Sequence, residues 1–179
     1  MIATLPDAWR WYESAKNMTR VLQRLGNLHW DDLPWDGPLG RDDHLNEVQA
    51  GDIVGQAGFV LDDLDDLCVL LLFSVFESIV RDRLLREVEV ESSSIHHPAI
   101  KHAVESLLDG ISQGSFFRVM EAYKSADAHL VEEVNQVRRY RNWVAHGRSG
   151  DKPPGMEPRD AFDRLQRFLA TFSPDPPTS

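Results

Sequence analysis

Residues 61–86, LDDLDDLCVLLLFSVFESIVRDRLLR, constrain this chain more than any other stretch. The segment opens with four aspartates, which favour a helix N-terminus through the macrodipole. It is apolar nearly all round through VLLLFSVF, and it closes with Arg81, Arg83 and Arg86, which suit a helix C-terminus. The pattern predicts a helix over 60–90. A helix with no wet side lies at the centre of its domain. Its most apolar part, Leu67–Phe76, is about ten residues long, whereas a membrane span needs roughly 20. The N-terminus, MIATLPDAWRWYES, has neither the basic nor the apolar region of a signal peptide. The chain is therefore read as soluble and cytoplasmic, with no membrane partner. Cys68 is the single cysteine, so no internal disulfide forms, and its apolar flanks make it a buried, inert thiol.

Five further helices are expected around this one. Over 6–25, Ala8, Trp11, Tyr12, Ala15, Met18, Leu22 and Leu25 recur at steps of three and four, with Pro6 in the first turn and Gly26 as the stop. A third runs over 97–109, with Pro98 in its first turn and Gly110 past its end. A short fourth lies in SFFRVMEAYKSA. The fifth spans 127–146, from Asp127 as N-cap to Gly147 as stop, and the sixth spans 158–172. No alternating strand pattern is present, so the fold class is all-α.

Residues 27–58 stand apart. They hold five of the eleven glycines, two prolines and seven Asp or Glu, so turn chemistry dominates. This is read as an irregular connection, with room for a short helix or hairpin, pinned to the body by Trp30 and Trp35. The expected division is 1–59 (N-terminal helix and irregular segment), 60–172 (helical domain) and a disordered tail over 173–179.

The net charge is −10. That disfavours broad, non-specific binding of nucleic acid, which depends on Lys and Arg. It leaves room for a small basic cleft, and RRYRNWVAHGR, residues 138–148, concentrates four arginines, a histidine and a tryptophan. On the fifth helix Leu130, Val134, Val137, Arg141 and Val144 fall at steps of four, three, four and three, a seam that packs on another helix. Arg141 stands in it where Leu or Val belongs. An unpaired buried guanidinium costs several kcal/mol. Arg141 must therefore meet a carboxylate such as Glu77, line a wet cleft, or face a symmetry mate. His146 lies at the helix end, where its charged form is favoured and its proton is available near neutral pH. Helix unwinding at Gly147 is expected to turn the imidazole toward Arg141; the alternative is a histidine that caps the last carbonyls. Asn142 supplies an amide, and Arg138, Arg139 and Arg148 supply positive charge. Together they read as a phosphate site.

Arg141-Asn142-Trp143-Val144-Ala145-His146 resembles the R-(polar)-x3-H signature of the HEPN superfamily (higher eukaryotes and prokaryotes nucleotide-binding domains). Phe76-Glu77-Ser78-Ile79-Val80-Arg81 on the upstream helix is similar to a second pattern of that family, FExxxR. The resemblance covers roughly residues 60–172. It implies a bundle of five to six helices with antiparallel core helices, dimerising so that two motif copies meet at a composite cleft. It implies a metal-independent endoribonuclease of a prokaryotic toxin–antitoxin or defence system, without cofactor, and with RNA and an antitoxin or other protein as partners. By that resemblance Arg141 and His146 are catalytic. His146 handles the proton of the 2′-hydroxyl or of the leaving 5′-oxygen, and Arg141 stabilises the charged transition state. Asn142, Arg138, Arg148, Glu77 and Arg81 bind substrate; for Glu77 and Arg81, one turn apart, the alternative is an ordinary i,i+4 ion pair. The alternatives are a catalytically silent HEPN module that binds RNA, nucleotide or a partner protein, and a plain helical dimerisation domain. Toxins paired with a nucleotidyltransferase antitoxin often carry a tyrosine where this chain has Arg148, so no subgroup is assigned.

His96, His97 and His102, the group His29, Asp31 and Asp32, and the group Asp42, Asp43 and His44 lack a metal-ligand spacing on a defined scaffold, and no metal site is expected. Trp143 is read chiefly as structural, with base stacking as its functional alternative.

Overall fold

The computed structural model describes residues 2–172; the tail expected over 173–179 lies outside the described residues. Among these residues there are seven α-helices, the six expected and a short one within the 27–58 connection, and no strand. They are α1 (Leu5–Leu28), α2 (Asp43–Asn46), α3 (Ala50–Ser92), α4 (Pro98–Gln113), α5 (Phe116–Glu121), α6 (Ala128–Ala145) and α7 (Pro158–Leu169). None is long and apolar enough to cross a membrane. The chain divides into two compact units. One is formed by the chain up to Ala8 and from Val69 onward, the other by Trp9–Cys68.

The larger unit has an aromatic core. Phe76 meets Phe116 and Phe168 edge to face, at centroid distances of 5.9 and 5.5 Å, and Phe73 meets Phe116 at 5.6 Å. Such pairs add roughly 0.5–1.5 kcal/mol beyond area burial. Val131, Val134 and Val137 bury one face of α6, and Ala161, Leu165 and Phe168 bury one face of α7. Arg164 bonds Gln136 and Arg167 bonds Glu133. The two contacts progress in opposite directions along the chain, so α6 and α7 are antiparallel. α6 begins where Asp127 accepts the amide of Leu130 at 2.9 Å. It ends in a Schellman turn, with Gly147 N–H on the Val144 carbonyl and Arg148 N–H on that of Trp143.

In the smaller unit α1 and the first part of α3 form an antiparallel hairpin. Tyr12 and Lys16 reach Asp65, Gln23 lies against Gly58, and Gly26 lies against Val54. Two expectations change here. Gly26 does not stop α1: a Cβ there would stand 2.8 Å from Val54 Cγ2, so glycine marks a close helix crossing. The central helix begins at Ala50 rather than 60, which leaves the acidic run 61–67 inside it instead of at its N-terminus. The first turn carries Asp52, which accepts the amide of Gln49. Glycines 51, 55 and 58 read as turn chemistry, but backbone helical bonding and the α1 contact override that weak local preference. Likewise Gly110 lies within α4, and Gly114 caps it. Trp30 and Trp35 pack on one another at 4.9 Å, and Trp35 donates its indole N–H to the Trp30 carbonyl.

Candidate phosphate-binding cavity

A cavity of about 270 Å³ opens in the larger unit where α3, the α4–α5 link, α5 and α6 meet. Its chemistry comes from Arg81, Arg138, Arg141, Asn142, Ser115 and Glu77, on a floor of Phe73, Phe116 and Phe117. Three guanidiniums therefore face one carboxylate.

The three arginines are committed to different degrees. Arg81 gives Nε and one amino group to Glu77 Oε1, at 3.0 and 2.7 Å, the two residues being one turn apart on α3. Its remaining donors go to carbonyls at the end of α4: Ile111, Ser112 and, at 2.9 Å, Gly114. Arg81 is thus a tie between α3 and α4 that also forms part of the cavity wall. Arg138 donates to the buried Asn135 at 3.1 Å and lies over the Phe117 ring. Burial first, then the neighbouring charges of Arg139 and Arg141, lowers its pKa; a guanidinium still stays charged.

Arg141 is the least committed. It donates to Asn142 Oδ1 at 3.0 Å, lies over the Phe73 ring, and approaches Glu77 Oε2 only to 3.9 Å, beyond hydrogen-bond range. Its side chain keeps 30% of its exposure. The seam cation is thus neither dry nor tightly paired. With Asn142 Oδ1 accepting from Arg141, the amide NH2 of Asn142 remains a donor. Two guanidiniums and an amide around a half-open space are suited to an oxyanion.

His146 and Arg148, the other two expected site residues, do not line the cavity. His146 is exposed, with φ −92° and ψ 24°, and its carbonyl accepts the hydroxyl of Ser149. The expected turn of the imidazole toward Arg141 is not made. α6 stays regular through Ala145, and five residues of α-helix carry a side chain about 140° around the axis. Arg148, at φ 58°, continues the turn begun by Gly147. The cavity of a single chain therefore has no histidine in its lining. Ser115, Phe116 and Phe117 escape a sequence reading, because only the α4–α5 link brings them beneath the arginines. Trp143 lies outside the cavity, tilted against Tyr140, with Lys152 over its ring.

Elsewhere, a cavity of about 580 Å³ is lined by Glu133, Asp160 and Asp163 facing Arg164 and Arg167. Its acids outnumber its bases, so it holds no net attraction for an anion. His29 reaches Asp32 at 3.5 Å and His102 reaches Glu105 at 3.8 Å, all exposed, and Asp42 caps α2. Among the described residues no cluster of three or more His, Cys, Asp or Glu is placed to hold a metal ion. No family model, curated protein or solved structure matches this chain.

Proposed function

We propose that this protein is a metal-independent endoribonuclease of the HEPN type, a dimer in which the arginine cavity of one copy holds an RNA phosphate and His146 of the partner subunit moves the proton. The observation that carries the reading is Arg141: a cation in an apolar seam, half-exposed, with unspent donors beside Arg138 and Asn142 over an open cavity. Binding there steadies the negative charge that grows when a 2′-hydroxyl attacks the phosphorus. The products are a 2′,3′-cyclic phosphate (or 3′-phosphate) and a 5′-hydroxyl. By the motif resemblance, the protein serves a prokaryotic toxin–antitoxin or defence system, with an antitoxin or other protein as its control.

Purified protein is incubated with mixed RNA in EDTA, beside Arg141→Ala and His146→Ala. Cleavage by the wild type, lost in both variants, is expected. Mixing the two inactive variants restores up to about a quarter of the activity, because half of randomly paired dimers hold one intact composite site. Cleavage that survives either substitution refutes the assignment, and failure of the mixture refutes the composite site.

One observation favours a second reading: His146 lies outside the cavity of its own chain. In that reading the cavity binds RNA phosphate without cleaving it. Retained, Arg141-dependent RNA binding with no cleavage selects it.

A further inference from the structure

We infer that the exposed face of the α1–α3 hairpin in the smaller unit is a self-association surface, on which a second copy docks to complete an intermolecular four-helix bundle. This inference is independent of the arginine cavity.

The hairpin has two apolar faces. The inner one holds the helices together, through Tyr12, Gln23 and Gly26 of α1 and Val54, Gly58 and Asp65 of α3. The outer one consists of Trp11, Met18 and Leu22 on α1 and Ile53, Val60 and Leu67 on α3. All of these except the half-buried Ile53 are between 43% and 67% exposed. Three outer residues come one position before a residue of the inner line, Trp11 before Tyr12, Leu22 before Gln23 and Ile53 before Val54; Met18 follows Trp11 at seven residues, and Val60 and Leu67 follow Ile53 at seven-residue steps, so they share those outer lines. One residue is about 100° of helix. The same rotation on two antiparallel helices brings both outer lines to one side of the hairpin. Ile53, Val60 and Leu67 are seven apart, and Trp11, Ala15, Met18, Leu22 and Leu25 step by four and three, the spacing of a helix seam. The inner crossings pair residues whose numbers add to nearly the same total, which sets Met18 level with Val60 and Trp11 level with Leu67.

Charge selects the occupant. Along the outer borders of this face, one position before its apolar residues, lie Arg10 and Arg24 on α1 (before Trp11 and Leu25) and Asp52 and Asp66 on α3 (before Ile53 and Leu67), while Lys16 and Asp65 pair with each other inside the hairpin. One border of the face is thus basic and the other acidic. A twofold axis parallel to the helices lays α1 of one copy over α3 of the other, antiparallel and at the same level, with opposite charges meeting on both sides. The alternative twofold, α1 on α1, sets like charges together. An isologous bundle of four alternating helices is a stable way to bury such a face.

Mass in solution is measured by light scattering on the full chain, with Met18→Glu/Leu22→Glu and Arg141→Ala as comparisons. The double variant is expected to halve the wild-type mass with unchanged helical circular dichroism, and Arg141→Ala to leave the mass unchanged. Pairing is read separately by oxidising Met18→Cys and Val60→Cys proteins. The mixture is expected to yield an interchain disulfide, and Met18→Cys alone little. A wild type that stays at the mass of one chain at ~100 μM, far above the Kd of a specific dimer, overturns the inference. So does a double variant of undiminished mass, or Met18→Cys cross-linking to itself as well as the mixture does.

Discussion

Replacing Arg81 by methionine keeps most of the side chain's apolar length against Phe116 and removes only its charge and donors. Two bonds to Glu77 and the bonds to the carbonyls of Ile111, Ser112 and Gly114 are lost together. A hydrogen bond involving a charged group contributes about 1.5–3 kcal/mol, and a buried partner left unmatched adds its desolvation cost. The site is not dry, the side chains of Arg81 and Glu77 keeping 16% and 23% of their exposure, so water compensates part of the loss. Arg141, loosely placed near Glu77 Oε2, recovers another part. The expected net destabilisation is therefore about 3 kcal/mol rather than the sum of the individual bonds. For a chain of this size that is a fall in Tm of about 6–12 °C. Urea melts followed by circular dichroism give the free energy, and amide exchange at the end of α4 gives its location. A loss below about 1 kcal/mol, or faster exchange everywhere except 111–116, would refute the role of Arg81 as the tie between α3 and α4.

Gly26→Ala gains about 1 kcal/mol of helix propensity but drives a Cβ to 2.8 Å from Val54 and 3.1 Å from the Ala50 carbonyl. A net destabilisation of about 1–2 kcal/mol is expected in chemical melts, relieved in part by adding Val54→Ala. The Tyr12–Lys16–Asp65 group sets a pH window. Burial opposes the charge of Asp65 and Lys16, but their mutual bond and Tyr12 outweigh it, so Asp65 is lowered and Lys16 raised; Tyr12 is raised by burial and by Asp65. The contribution of Asp65 is present above about pH 4 and is lost as pH falls through its lower folded value. Those of Lys16 and Tyr12 are present below about pH 10 and are lost as pH rises through their raised folded values. Asp65→Asn should flatten both limbs of Tm against pH. Burial pushes the Cys68 thiol up to about 12. A thiol reagent at pH 8 should label it only at the rate of unfolding, and immediate labelling of folded protein would contradict its burial.

Legibility in the sequence follows the range of the interactions. The ends of α6 are readable because a cap and a Schellman turn depend on neighbours within a few residues: Asp127 at one end, Gly147 at the other. Arg141 is readable because three valines and a leucine fix the seam and make the cation conspicuous. The start of α3 is not readable, since three glycines argue locally for a loop and only the long-range contact with α1 answers them. Gly26 and Gly110 mislead for a related reason: each looks like a stop, yet one serves a helix crossing and the other is carried by the helix around it. The cavity is half readable. Arg138, Arg141 and Asn142 share one element with a visible pattern, while Phe117 and Ser115 arrive through a turn whose direction no local rule supplies. His146 shows the limit of a motif: spacing along the chain says that a residue belongs to a signature, but the helical phase decides which way it points.

The turn that closes α6 has an evolutionary consequence. Arg148 holds a backbone angle of φ 58°, where an unbranched L-residue is strained and glycine is at ease. Arg148→Gly relaxes that position but gives up whatever the cationic side chain holds, so the two effects oppose one another. Lineages that keep a cation beside Gly147 would be placing the side chain above backbone ease, and lineages that replace it with glycine would have made the opposite choice.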